Sequence, residues 1–166
     1  MEILIRSLKE EDIDQVWALM QQLAIFEKYI DKFAITPETV KEKGLEKHPP
    51  DFYCLVAEHV TDKKIVGMLV YYFLPYTAQN RPAIYMKELY VDSNYRGMRI
   101  GESLMQQLAR EARKHNCIQI KWGVAPWNKD GIRFYERLGA KENNEWLNFE
   151  LDEEAFLKMI NEPTLR

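Results

Sequence analysis

The chain predicts an α/β fold of the α+β kind: one mixed central sheet, largely antiparallel in its N-terminal half, with helices on both faces. Three observations point there. Residues 52–59 and 65–74 are strand-like runs joined by the turn Thr61-Asp62-Lys63-Lys64, which makes them a hairpin. From Ala83 the pattern changes to alternating strand and helix: 83–91, 102–115, 117–124, 129–138 and 146–151. The length, 166 residues, suits one domain with its own core, so a single domain over 1–166 is expected.

Each element has its own local signal. Residues 2–6 are β-branched or long and alternate, a first strand. Residues 10–28 carry Ile13, Val16, Trp17, Met20, Leu23 and Ala24 at helical spacing, with Glu10, Glu11 and Asp12 in the first turn. Thr36-Pro37 caps and opens a short helix that Gly44 is expected to end. His48-Pro49-Pro50-Asp51 and residues 75–82 read as loops, and Asp152 caps a helix over 153–160. No repeat, low-complexity tract or linker interrupts the chain.

Composition narrows the function classes. Hydrophobic content is 46% and charged content 30%, ordinary for a soluble protein. No apolar run reaches membrane-spanning length, and Met1 to Arg6 lacks the features of a signal peptide, so no membrane partner is expected. Cys54 and Cys117 fall in strand-like runs and read as reduced core residues of a cytoplasmic protein. The net charge of -3 hides an asymmetry: residues 86–137 carry 10 Lys+Arg against 6 Asp+Glu, between two acidic flanks. A basic middle suits a polyanionic ligand and acidic flanks suit a cationic one, although chance variation explains such charge equally well. The acidic balance and the lack of a basic helix stripe disfavour nucleic acid. His48, His59 and His115 are scattered without metal-ligand spacing and read as surface or loop residues, so no metal is expected.

The stretch with most chemical content is Tyr95-Arg96-Gly97-Met98-Arg99-Ile100-Gly101-Glu102, between a strand and a helix. Unpaired N–H groups at a helix start attract anions, glycine admits a phosphate close to the backbone, and Arg96 and Arg99 add charge. Arg99 fits this turn if its φ is negative. A plain helix start with two surface arginines is the bland alternative.

This turn, Trp127-Asn128-Lys129 and Phe134-Tyr135-Glu136-Arg137-Leu138-Gly139-Ala140 together resemble the GCN5-related N-acetyltransferases, the GNAT superfamily. Leu23-Ala24-Ile25-Phe26-Glu27, Tyr53-Cys54-Leu55-Val56-Ala57-Glu58 and Tyr85-Met86-Lys87-Glu88-Leu89-Tyr90-Val91 look most like its diamine (spermidine/spermine) acetyltransferase subfamily. The resemblance covers nearly the whole chain. It implies acetyl-CoA as co-substrate, a small-molecule amine as acceptor and a homodimer formed through the C-terminal strand and neighbouring helices. Such a phosphate turn usually reads Arg/Gln-x-x-Gly-x-Gly/Ala; here Arg99 replaces the middle glycine.

Carried over by position, the resemblance assigns cofactor contact to Leu89, Tyr90 and Val91, to Arg96, Gly97, Met98, Arg99, Ile100, Gly101 and Glu102, and to Asn128, Lys129, Asp130 and Gly131. It makes Tyr135 the proton donor to the departing thiolate; a phenol with a pKa of about 10 can serve. Taken alone, Tyr135 reads as a half-buried ring with a wet hydroxyl. Glu88 is the candidate base, directly or through water. The subfamily has two adjacent acids on this strand, whereas here Lys87 precedes Glu88. Lysine there repels a second ammonium and suits a substrate carboxylate. Strand alternation lets only one of the two face the cleft. Phe26 and Glu27, with Asp31 nearby, are expected to hold the ammonium.

The expected activity is therefore transfer of an acetyl group from acetyl-CoA to a primary amine of a small cationic acceptor, a polyamine or a lysine- or thialysine-like amino acid. A protein lysine or N-terminal acetyltransferase and a non-catalytic coenzyme A-binding module are the alternatives.

Overall fold

The structure, a computed structural model, describes residues 1–161. They form two compact units, 1–128 and 129–161. The first holds a five-stranded sheet in the order β1 (Ile3–Ser7), β2 (Tyr53–His59), β3 (Lys64–Tyr76), β4 (Arg81–Val91), β5 (Ile120–Lys121). The first four are antiparallel to their neighbours and β4 runs parallel to β5. The mixed sheet and its antiparallel first half are as the sequence predicts.

The two faces of the sheet carry one long helix each. Helix α1 (Ile13–Phe26) buries Val16, Leu19, Met20 and Leu23 with Cys54, Val56, Met68, Val70 and Tyr90. Helix α3 (Ile100–Lys114) covers the opposite face, where Ile100 and Leu104 approach Gly67 so closely that an added Cβ would lie 3.3 Å from each. Alternation along β3 explains the division: even-numbered Met68 and Val70 face α1, odd-numbered Gly67 faces α3.

Helix α1 starts where a buried ion network fixes it. Asp12 is 2% exposed and accepts two bonds from the Arg6 guanidinium, at 2.6 and 2.9 Å, and one from the Lys9 backbone N–H at 2.8 Å. Arg6 Nε donates to Glu58 at 2.6 Å. β1, β2 and the head of α1 are thereby joined through one guanidinium.

Several boundaries differ from expectation. Gly44 does not end the short helix α2 (Pro37–Lys41); it lies within a wider turn, Glu42–Glu46, that continues it. A Cβ at Gly44 would sit 2.8 Å from the Phe52 ring, so close packing is what calls for glycine. The strand expected over 117–124 is reduced to the two residues of β5, because Gly123, Pro126 and the turn closed by Asn128 N–H to Ala125 C=O leave the ladder. Cys117 is half-buried outside any strand, while Cys54 is buried as expected. His59 is not a loop residue: it ends β2, half-buried, 3.1 Å from Asp62.

In the second unit, α4 (Lys129–Arg137) ends at Gly139 in the left-handed region, φ 90°, with Ala140 N–H bonded back to Tyr135 C=O. Asp152 caps α5 (Glu153–Asn161) by accepting from Ala155 N–H at 2.8 Å. The strand expected over 146–151 is absent: the segment is irregular, and Trp146, Leu147 and Phe149 are 81%, 84% and 90% exposed. Its apolar content suits a strand, but a strand needs a ladder partner, and none is present among the described residues.

Replacing Asp12 by Ala leaves the Arg6 cation with Glu58 as its one remaining ion-pair partner among the described residues, beside the Ser7 carbonyl, in a mostly buried setting. We expect a loss of about 3 kcal/mol in urea unfolding; a loss under about 1 kcal/mol would show that the network is not structural in effect.

Candidate active site

The C-terminus of α1 is shaped by a left-handed cap. Glu27 N–H bonds Leu23 C=O at 2.8 Å, Lys28 N–H bonds Ile25 C=O at 3.2 Å, and Tyr29 N–H reaches back to Ala24 C=O at 2.9 Å. Lys28 takes φ 66°, where glycine is usual. The cap stops the helix abruptly and places Glu27 and Tyr29 within electrostatic reach of β4. Burial raises the Glu27 carboxyl, while Lys87 pulls it down. The Tyr29 hydroxyl is pushed up to about 12 by burial, then by the charges of Glu88 and Glu27.

On β4 the ladder with β3 slips. Val70 pairs with Glu88 and Tyr71 with Met86, so Lys87 is an extra, bulged residue. The bulge suspends the strict alternation on which the expectation that only one of Lys87 and Glu88 faces the cleft is built. Glu88 is opposite Val70 and two residues from Tyr90, both on the α1 face. One Glu88 carboxyl oxygen is buried without a hydrogen-bond partner among the described residues. Its pKa is raised to about 7 by burial; Lys87 lowers it and Glu27 raises it further. Lys87 therefore acts on both carboxyls. A buried carboxyl oxygen without a hydrogen bond is costly to the fold and suits a group that exchanges protons near neutral pH.

Past Tyr85, β4 has no strand on its second edge among the described residues, since β5 pairs only at Ile84 and Tyr85. Leu89, Tyr90 and Val91 lie on this opened stretch. Edge backbone groups there suit an extended arm with amide groups of its own.

The basic turn follows. Gly97 adopts φ 79°, and a Cβ built there meets nothing within 4 Å, so the turn is open to solvent. Arg99 has φ 60°, contrary to the negative value expected, and stands at the N-cap of α3 without a side-chain cap bond. The backbone thus keeps a shape natural to glycine, which for arginine costs about 1–2 kcal/mol. A two-pronged pair with Glu102, 2.7 and 2.8 Å, accompanies it and holds the Glu102 carboxyl below its usual range. The Arg99 guanidinium thus points at Glu102, and the first-turn N–H groups of Ile100, Gly101 and Glu102 have the character of an anion-binding element. Met98 is exposed beside them. Open edge, open glycine and helix N-terminus fit a pantetheine arm ending in a pyrophosphate.

Arg96 sits differently from expectation for a phosphate ligand. Its guanidinium carbon lies 5.6 Å from the Phe26 ring centre and 5.4 Å from that of Tyr90, and Nε donates to Val91 C=O at 3.2 Å. Phe26 also meets Trp127, ring centres 5.7 Å apart, and Lys28 Nζ lies 4.6 Å over Trp127. Asp31 is exposed on a separate turn, Ile30–Lys32. Asn128 closes the turn before α4; in the second unit, Lys129, Asp130 and Gly131 form the first turn of α4, with Asp130 paired to Arg133. Tyr135 lies on the same helix, half-buried, its ring 5.2 Å from Phe134.

Within the first unit, Glu27, Lys87 and Glu88 are electrostatically coupled to one another. Tyr29 was missed, because only the left-handed cap at Lys28 reveals where it goes. Asn or Gly at that position would have signalled the cap; lysine does not.

Residues 17–140 match the model of the acetyltransferase (GNAT) family. A thialysine N-epsilon-acetyltransferase of Sus scrofa is 32% identical, covering 95% of this chain and 96% of that protein. A spermidine/spermine N(1)-acetyltransferase-like protein 1 of Homo sapiens is 29% identical over 93% of this chain and 23% of that protein. An integron cassette protein from the mobile metagenome of V. cholerae superposes with a TM-score of 0.77 at 23% identity, covering 98% of this chain and 99% of that one, which bears on the fold alone. A match spanning most of the chain, over the strand, turn and helices that build the opened edge, makes this protein a member of the GNAT acetyltransferase family, and so an acetyltransferase.

Proposed function

We propose that the chain transfers an acetyl group from acetyl-CoA to the side-chain amine of a small diamino acid of the lysine or thialysine type. The carrying observation is a buried Glu88 carboxyl oxygen with no hydrogen-bond partner among the described residues, next to a bulged lysine. Glu27 and Glu88 attract the acceptor ammonium, and Lys87 takes its carboxylate. A name on thialysine among relatives at 32% identity supports the same class. The polyamine reading is favoured by the two carboxyls and by the spermidine/spermine relative, and is opposed by Lys87, which repels a second ammonium.

GNAT acetyltransferases use acetyl-CoA, which supplies the acetyl group as an activated thioester. The protein's residues do the rest. Glu88, ionised through about half its molecules near neutral pH, takes the proton that makes the amine nucleophilic. Backbone groups of Leu89 to Val91 orient the donor and stabilise charge developing on its carbonyl oxygen. Tyr135, assigned by its motif, returns a proton to the thiolate sulfur. Holding donor and acceptor together supplies much of the rate.

We take residues 1–166 as one acetyltransferase domain, since the family match over 17–140 runs from the first compact unit into the second. A cytoplasmic homodimer is the assembly we expect, with no nucleic acid or membrane partner. Free thiols at Cys54 and Cys117 accord with that compartment. The exposed Trp146, Leu147 and Phe149, on a segment with strand-like sequence, supply apolar surface for a second copy.

Thiol release from acetyl-CoA against lysine, thialysine, spermidine and a lysine peptide tests the substrate class. Lysine or thialysine should lead, and Lys87→Ala should shift preference toward spermidine by about tenfold; unchanged preference would remove Lys87 from recognition.

For the parent chain, kcat/KM should rise through about pH 7 as Glu88 loses its proton. Glu88→Gln should erase that limb and cost about 10²–10⁴ in kcat. Its stability should move the other way. The folded pKa of Glu88 is above the unfolded 4.5, so its contribution is most favourable below that value and declines as pH rises through about 7. Glu88→Gln is therefore expected to be more stable than the parent near pH 8, by about 1–3 kcal/mol in urea unfolding.

Tyr135→Phe should lower kcat by at least about tenfold with little change in acetyl-CoA affinity. Equal turnover would exclude it as the acid.

A further inference from the structure

The Arg96 side chain links two parts of the first unit. Its guanidinium lies against the rings of Phe26, the last residue of α1, and Tyr90, the penultimate residue of β4, while Nε is bonded to Val91 C=O. Tyr90 is itself anchored to α1 through its hydroxyl and Gln22 Oε1, 3.3 Å apart. On its other side Phe26 contacts Trp127, whose ring carries Lys28 Nζ. Trp127, Phe26, Arg96 and Tyr90 therefore form a continuous stack from the loop after β5, across the end of α1, to the exit of β4.

This stack immobilises the point where α1 stops. Glu27 follows Phe26 directly, and the left-handed cap at Lys28 propagates the position to Tyr29. The Phe26 ring, expected to receive the acceptor ammonium, already has the chain's own guanidinium beside it. A planar, permanently charged guanidinium is suited to this use, because it stacks on rings and still donates to a carbonyl.

We propose that the Arg96 side chain is a positioning residue of the acceptor side: it fastens the end of α1, and with it Glu27, to the β4 exit, while the backbone of the following turn is left to bind the cofactor phosphates. This rests on the acceptor reading given above. It also joins the two substrates mechanically, since one residue begins the phosphate turn and holds the carboxylate that meets the amine.

The test compares Arg96→Gln, Arg96→Lys, Phe26→Leu and the double variant Arg96→Gln/Phe26→Leu. Acetyl-CoA affinity is measured by calorimetry without acceptor, KM and kcat with the preferred amine, and the Trp127 indole N–H by NMR. Arg96→Gln should raise the acceptor KM about tenfold and shift the Trp127 resonance, with acetyl-CoA affinity within about twofold. Phe26→Leu should do the same, the double variant should be no worse than the poorer single, and Arg96→Lys should fall between. Acetyl-CoA affinity falling about tenfold with acceptor KM unchanged would overturn the proposal. So would multiplicative effects in the double variant or an unmoved Trp127 resonance. Should the parent chain consume no amine at all, the functional reading fails; the Trp127 resonance and acetyl-CoA affinity still decide whether Arg96 serves the stack or the phosphates.

Discussion

The unequal pairing of β4 is the constraint on which the site depends. One edge is bound to β3 from Arg81 to Val91, while the other meets β5 at only Ile84 and Tyr85. A strand held firmly on one side can present the backbone of its last six residues on the other without fraying. The bulge at Lys87 adds to this. By inserting one residue it turns Glu88 toward α1 and gives Lys87 influence over the same space. A regular ladder would have put one of these two charges on the α3 face.

Two groups of buried charge in the first unit differ in kind. Arg6, Asp12 and Glu58 satisfy one another, and Asp12 also receives a backbone N–H, so their burial is compensated. Glu88 has a buried oxygen with no partner among the described residues, and a neighbouring carboxyl raises its proton affinity further. Compensated charge locates α1 on the sheet; uncompensated charge is what a proton-transfer residue requires. The second arrangement is tolerable because the first, with the apolar core of Val16, Met20, Met68 and Val70, holds the surroundings in place.

Two of the five described non-glycine residues in the left-handed region border the candidate site. Lys28 and Arg99 both occupy the left-handed region without being glycine. One ends α1 beside Glu27 and the other begins α3 at the phosphate turn. Each is accompanied by a side-chain contact, Lys28 with the Trp127 ring and Arg99 with Glu102. In sequence, Arg96 with its stacked rings lies between them, linking the end of α1 to the exit of β4.

The sequence by itself determined the order of elements, the two helix-bearing faces, the basic glycine turn at the start of a helix and the adjacency of Lys87 and Glu88 on a strand. These are local signals: apolar period, capping residues, glycine and adjacent charges. It also overstated two strands. Residues 117–124 and 146–151 have strand-like composition, but ladder formation depends on a partner that composition does not reveal. Only the tertiary structure decided that β4 bulges at Lys87, that Arg99 adopts a glycine-like φ, that Tyr29 joins the acids and that Arg96 turns back onto Phe26 and Tyr90. The bulge and the contact of Arg96 with Phe26 are set by what lies across the sheet or on another helix, far away in the chain, and such distances leave no periodic trace in a single sequence; the left-handed turns at Lys28 and Arg99 are local, but lysine and arginine do not announce them.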